Sequence, residues 1–212
     1  MDTIIAAFET GGIWMYFILV VSILVVGVSL ERLAWLFGYA GVDRRSLLST
    51  IEKCLRSNDV ERAIKVLRGT KAPLARVLYA GVSNFHERRE VVRLLMDEGA
   101  LVQVPRIEKR TGYLVMLSNA ATLLGLLGTI IGLIMSFKEA ATASAGEKAT
   151  KLAEGISLAM NSTAFGLGVA IVALIVYALL KAREHKLVDD INQASVALYN
   201  IITDVKLAEG GK

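Results

Sequence analysis

Three stretches of this 212-residue chain contain no Asp, Glu, Lys, Arg or His: Thr10–Leu30, Thr111–Phe137 and Gly155–Leu180, of 21, 27 and 26 residues. A hydrocarbon core about 30 Å thick needs roughly 20 helical residues to cross it. A helix pairs every backbone donor with an acceptor inside its own segment, so it is the form in which such a run enters lipid. The fold class this predicts is all-α: a polytopic membrane protein with three transmembrane helices, at 13–30, 111–137 and 155–180. The 54% hydrophobic content is segregated into these runs, not spread in the short pieces of a soluble core.

The first run is not read as a secretory signal. Its leading residues offer only Asp2 and Glu9 where a signal has a basic region, and no small-residue cleavage site precedes Glu31-Arg32. The 24 Lys and Arg then set an orientation: none precedes Arg32, 16 lie in Arg32–Arg110, three in Lys138–Lys151 and five from Lys181 onward. By the positive-inside rule, 1–12 and the 138–154 loop are periplasmic, while 31–110 and the 181–212 helix or tail are cytoplasmic. The net charge of +4 calls for no nucleic acid, because the basic residues flank membrane ends and alternate with acids. Membrane lipids with anionic headgroups are the partner it suggests. The single cysteine, Cys54, excludes an intramolecular disulfide and reads as a small packing residue.

Apolar spacing in the 31–110 segment predicts a helical pair over Ser46–Leu67, broken near Ser57-Asn58-Asp59, with Asn58 or Asp59 capping the second member. Gly69 and Pro73 end that pair, and another helix starts near Leu74. From about Glu87 the pattern runs through Arg110 directly into the second span, with Pro105 as the expected kink. The loop Glu139–Lys151 is rich in Ala, Ser, Thr and Gly and reads as a short helical or flexible turn.

Polar groups inside the spans are the chemically informative feature. Ser118, Thr122, Gly125, Thr129, Gly132 and Ser136 recur every three or four residues and are expected on one stripe of the second span. Gly155, Ala159, Ser162, Gly166, Ala170 and Ala173 form a comparable stripe in the third, with Thr163 beside it and Asn161 on a neighbouring row with Ser157, Ala164 and Gly168. Small residues let membrane helices approach closely, which gives Gly125, Gly128, Gly132, Gly166 and Gly168 a helix-packing reading. The oxygens of Thr122, Thr129, Asn161, Ser162 and Thr163 form a candidate ion path, since polar groups at bilayer depth mark pathways. Neither span contains a titrating group, so a proton relay needs a carboxylate from a partner chain. No metal-ligand cluster or phosphate-binding glycine loop appears, and His86 and His185 stand apart, which argues against an enzyme.

The run "NAATLLGLLGTIIGLIMSF", Asn119–Phe137, resembles the second span of the MotA/TolQ/ExbB proton-channel family, and "GISLAMNSTAFGLGVAIVAL", Gly155–Leu174, resembles its third. "SNDVERAIKVL" and "APLARVLYAGV" extend the similarity into the segment between the first two spans. Three spans place the chain nearer the ExbB/TolQ type than the four-span MotA type. The resemblance implies a homopentameric ring with long cytoplasmic helical extensions in a bacterial inner membrane. It also implies a pair of ExbD/TolR-like single-span subunits, each carrying an intramembrane aspartate, and no cofactor besides the translocated ion. The family's pore threonines correspond to Thr129 and Thr163.

Departures bear on the ion. A glutamate that many relatives carry five residues before the second threonine is Leu158 here, and family prolines are replaced by Thr122 and Val172. Glu154, one turn toward the periplasmic side, is a candidate carboxylate for ion access, or a partner for Lys151. An oxygen-rich path without a titrating group suits a hard cation, so sodium stands beside the proton as the coupling ion. A non-conducting scaffold that anchors a single-span partner is the competing function.

Overall fold

The computed structural model describes Gly12–Gly210, apart from the side chains of Tyr39, Leu158 and Glu209, and is helical throughout with no strand among the described residues. The helices are α1 (Gly12–Leu33), a π-helical turn (Ala34–Tyr39), α2 (Arg44–Arg56), α3 (Val60–Gly69), α4 (Pro73–Ser83), α5 (Arg89–Glu108), α6 (Tyr113–Thr142) and α7 (Lys148–Gly210). Three stretches are long and apolar enough to cross a membrane, Ile13–Gly38, Arg89–Thr142 and Lys148–Ala208. The N-terminal segment 1–11, with Asp2 and Glu9, lies outside the described residues.

Two compact units divide the chain: one gathers the residues up to Glu31 with Arg110–Leu179, the other Arg32–Lys109 with Leu180 onward. The first unit holds the charge-free helices. Ile13, Tyr16, Leu123, Ile134, Ile171 and Leu179 are among its exposed large apolar side chains, as expected of surfaces that face lipid and not water.

The second unit has a core of Leu36, Ile51, Leu55, Leu67, Leu78, Met96, Ile107, Ile191 and Leu198, all at most 2% exposed. Local signals set its helix ends. Asp43 caps α2 by accepting from the Arg45 amide at 3.1 Å, and Asp59 caps α3 by accepting from the Arg62 amide at 3.0 Å. Between them Asn58 takes φ 57°, the left-handed conformation that Asn tolerates better than most residues. Pro73 occupies the first turn of α4, where its missing N–H has no helical partner to lose.

One expectation fails here. The helix read as continuous from Glu87 into the second span is interrupted at Lys109–Gly112, and Pro105 lies inside α5 with helix still running to Glu108. Arg110 adopts φ 69°, and its guanidinium hydrogen-bonds the Glu31 carboxylate. A proline removes a bond from the turn before it, whereas a left-handed residue redirects the chain outright. The helix therefore breaks at Lys109–Gly112, four residues past Pro105.

Candidate functional site: the α6–α7 seam

In the first unit α6 and α7 run antiparallel and meet along small residues. The buried positions of α6 are Leu114, Ser118, Ala121, Gly125, Gly128, Gly132 and Ser136. Opposite them on α7, Ala159, Ser162, Gly166, Ala170 and Ala173 are all at most 4% exposed or classed as buried. A Cβ on Gly166 would lie 2.6 Å from the Ala121 carbonyl oxygen and 3.1 Å from the Gly125 Cα. On Gly128 it would meet the Ser162 Cβ at 2.8 Å and the Trp14 Cβ at 3.3 Å, so α1 also closes on this glycine. Gly132 faces Ala159, and Gly155 faces Ser136. Such contacts require residues without side chains, because packing replaces the hydrophobic effect as the force between helices in lipid.

Two hydroxyls cross the seam. Thr163 Oγ1 donates to the Gly125 carbonyl at 2.9 Å, and Ser118 Oγ donates to the Ala170 carbonyl at 3.1 Å. Other hydroxyls turn back on their own helix: Thr129 donates to the Leu126 carbonyl at 2.6 Å, Thr122 to Ser118 at 3.1 Å, and Ser136 to Gly132 at 2.7 Å.

The single stripe read for the second span therefore divides. Ser118, Gly125, Gly132 and Ser136 lie in the seam, but Thr122 and Thr129 are half-buried beside it, and Ala121 and Gly128 occupy the row instead. The period-seven recurrence of small residues at 121 and 128 was the available signal. Asn161 is half-buried next to the buried Ser162. Gly168 is exposed, with nothing within 4 Å of a Cβ built on it, and takes no part in this seam. Glu154 is exposed and pairs with Lys151 at 3.6 Å. Leu158 lies in α7, but its side chain is outside those described. The seam thus offers carbonyl and hydroxyl oxygens among packed small residues, with no Asp, Glu, Lys, Arg or His along 111–137 or 155–180.

A polar constellation that the sequence did not reveal lies in the second unit. Glu184, fully buried, meets Arg32 at 3.3 Å and Lys181 at 3.2 Å. Arg32 also donates to the Ile107 carbonyl and lies over the Trp35 ring, while Lys181 reaches Glu108 at 3.0 Å. The hydrogen bond that Lys181 donates to Glu108 holds its ammonium above the ordinary lysine range. Burial pulls the other way, and Glu184 adds to the rise. Arg32 and Glu184 are 152 positions apart. Each flanks an apolar run, the sole hint in the sequence.

The sequence is similar to those of known proteins. An ExbB homolog of Methanothermobacter thermautotrophicus is 24% identical over 189 residues, covering 89% of this chain and 67% of the relative. The Synechocystis ExbB-like 1 protein is 30% identical over 189 residues, covering 86% and 72%. The biopolymer transport protein exbB1 of Vibrio cholerae is 34% identical over 102 residues, covering 46% and 45%. The description of the MotA/TolQ/ExbB proton channel family matches residues 69–193, which take in the seam and about half of the second unit. This membrane protein belongs to the MotA/TolQ/ExbB proton channel family.

Proposed function

We propose that the chain is the ring subunit of an ion-driven motor of the bacterial inner membrane. In this reading it assembles as a homopentamer around a pair of ExbD/TolR-like single-span subunits, with its N-terminus periplasmic and its C-terminus cytoplasmic. The observation that carries the reading is the α6–α7 seam, oxygen-bearing and free of Asp, Glu, Lys, Arg and His. A path that conducts protons needs a group that titrates, so the partner's intramembrane aspartate supplies it. The ring supplies hydroxyl and carbonyl oxygens at Thr129, Asn161, Ser162 and Thr163, with Thr122 about two turns along the row of Thr129. Ion flow then turns the inner pair against the ring and powers work at the cell envelope.

Thr163 favours a second reading. Its hydroxyl proton is engaged by Gly125, as in a helix-to-helix fastening, which suits a non-conducting scaffold that anchors the single-span partner. Thr129 separates the two, because its hydroxyl bonds only within its own turn in the bonds described and its oxygen retains an acceptor lone pair. Ion flux through proteoliposomes containing the chain and its partner, at fixed voltage with and without sodium, tests the choice. Thr129→Val should abolish flux and leave assembly intact. Undiminished flux would sink the ion-path role of Thr129, and no flux in the unaltered complex would leave the scaffold. Flux that persists without sodium assigns the proton.

A further inference from the structure

The strongest unexplained charge lies in the second unit. Between Val60 and Ala80 the chain carries Arg62, Lys65, Arg68, Lys71 and Arg76 against one acid, Glu61. All five cations are exposed. None forms an ion pair among the described residues, whereas Arg32, Arg44, Arg56, Arg93, Arg110, Lys151 and Lys181 each meet a carboxylate.

Three of the five converge. Arg68, Lys71 and Arg76 line a cleft of about 200 Å³ with Leu67, Thr70 and Tyr79. Arg68 is already oriented there: Nη2 donates to the Tyr79 hydroxyl at 2.8 Å, and the guanidinium stands 5.4 Å from the centre of the Tyr79 ring. A held guanidinium beside a lysine and a second arginine matches the oxygens of a phosphodiester, which Arg engages with paired N–H groups.

The position of the cleft says where that phosphate comes from. Pro73 and Leu74, between Lys71 and Arg76, line a small cavity with Ala40, Ile107, Leu187 and Asp190, whose carboxylate pairs with Arg44. Ile107 precedes Thr111, the start of the second charge-free run, by four positions. Leu187 is seven residues past Leu180, the end of the third charge-free run, which is about 10 Å along a helix. Lys71 and Arg76 therefore flank a segment packed against residues about two helical turns from the end of the third charge-free run, about one Debye length along the chain from where anionic headgroups begin to attract basic residues.

We propose that the Arg68–Lys71–Arg76 cleft binds the headgroup phosphate of an anionic phospholipid and seats α3 and α4 against the inner leaflet. The site is independent of ion conduction, so the flux measurements on Thr129 and the lipid measurements below succeed or fail separately. An acidic protein segment has the same charge but does not need a cleft at the membrane border.

The test uses the full chain in liposomes. Gly69 is exposed with open space around it, so Gly69→Cys in a Cys54→Ala background takes a fluorescence donor at the rim of the patch. Energy transfer is read to acyl-labelled phosphatidylglycerol and, separately, to acyl-labelled phosphatidylcholine. Phosphatidylglycerol should be enriched, and Arg68→Gln, Lys71→Gln and Arg76→Gln should each lower the enrichment by up to about fivefold. Arg76→Lys, which keeps the charge, should retain it and controls for folding. Competition by millimolar glycerol phosphate would show that the phosphate alone suffices and that the bilayer only delivers it. Equal transfer from both lipids, or a preference that survives the triple glutamine variant, overturns the proposal. Loss of lipid preference together with binding of polyglutamate through the same side chains would also overturn it, in favour of a protein partner.

Discussion

Thr163 fastens α7 to α6 by donating its hydroxyl to the Gly125 carbonyl, 2.9 Å away, at a point where Gly125 lets the two backbones touch. The bond and the close approach depend on each other. A side chain on Gly125 would meet the Ser162 carbonyl oxygen at 3.1 Å and the Thr163 Cα at 3.2 Å.

Thr163→Val keeps the shape and removes the donor. It should destabilise the chain in detergent by about 0.6 kcal/mol, at most roughly 1.7, because partners are also found in the unfolded membrane state. Thr163→Ser should restore the loss. Steric unfolding by a denaturing detergent measures both, and a valine variant as stable as the parent would show that the bond contributes nothing net.

Glycine substitutions should sort by their contacts. Gly166→Ala drives a methyl into two backbone atoms, so the helices must part, at a cost of about 1–3 kcal/mol. Gly168→Ala meets nothing and should leave the stability of the single chain unchanged. Unfolding midpoints check the pair. If Gly168→Ala instead breaks up the oligomer while the chain stays folded, Gly168 packs against another subunit.

Glu184 is the most consequential buried charge. Glu184→Gln leaves Arg32 without its carboxylate in a buried site and should cost about 3–5 kcal/mol. Replacing both members by apolar residues of similar volume should recover most of that loss, since the desolvation of two ions disappears with them. Thermal unfolding of the single and double variants decides the point; a double variant no better than the single would mean the pair is needed for more than charge balance.

The raised Lys181 pKa has a defined pH signature. A base whose folded pKa lies above its unfolded value contributes stability that is fully present below the unfolded pKa and fades as pH rises through the folded one. Stability should therefore be flat across neutral pH in this respect and decline only in the alkaline lysine range. Lys181→Met should flatten that limb. Denaturation midpoints against pH, compared between the two proteins, provide the check.

Asp59→Ala removes the acceptor for the Arg62 amide and should cost about 1 kcal/mol, with Asp59→Asn retaining most of it. Amide exchange should rise first in the opening turn of α3. Uniform exchange along the helix would mean that the cap is unimportant there.

Much of this was legible in order. The three spans follow from charge-free runs, because lipid offers no partner for a backbone group and only long closed helices solve that problem. Asp59 as a cap, Pro73 as a helix start and the small-residue row of the third span also follow from local chemistry. What stayed ambiguous was rotation: Thr122 and Thr129 are seven residues apart, and so are Ala121 and Gly128. Both pairs satisfy a helical repeat, and adjacent rows differ by only about 100°.

The linear chain by itself determined which three runs are long and apolar enough to cross a membrane and that no carboxylate lies in the second or third of them. Tertiary structure alone decided which row of α6 faces α7, where α5 stops short of α6 at Arg110, and that Arg32 finds Glu184. Local propensity and hydrophobicity act over a few residues and can be read along a line. Backbone-to-backbone contact and charge pairing across 152 positions depend on how two helices are rotated and brought together.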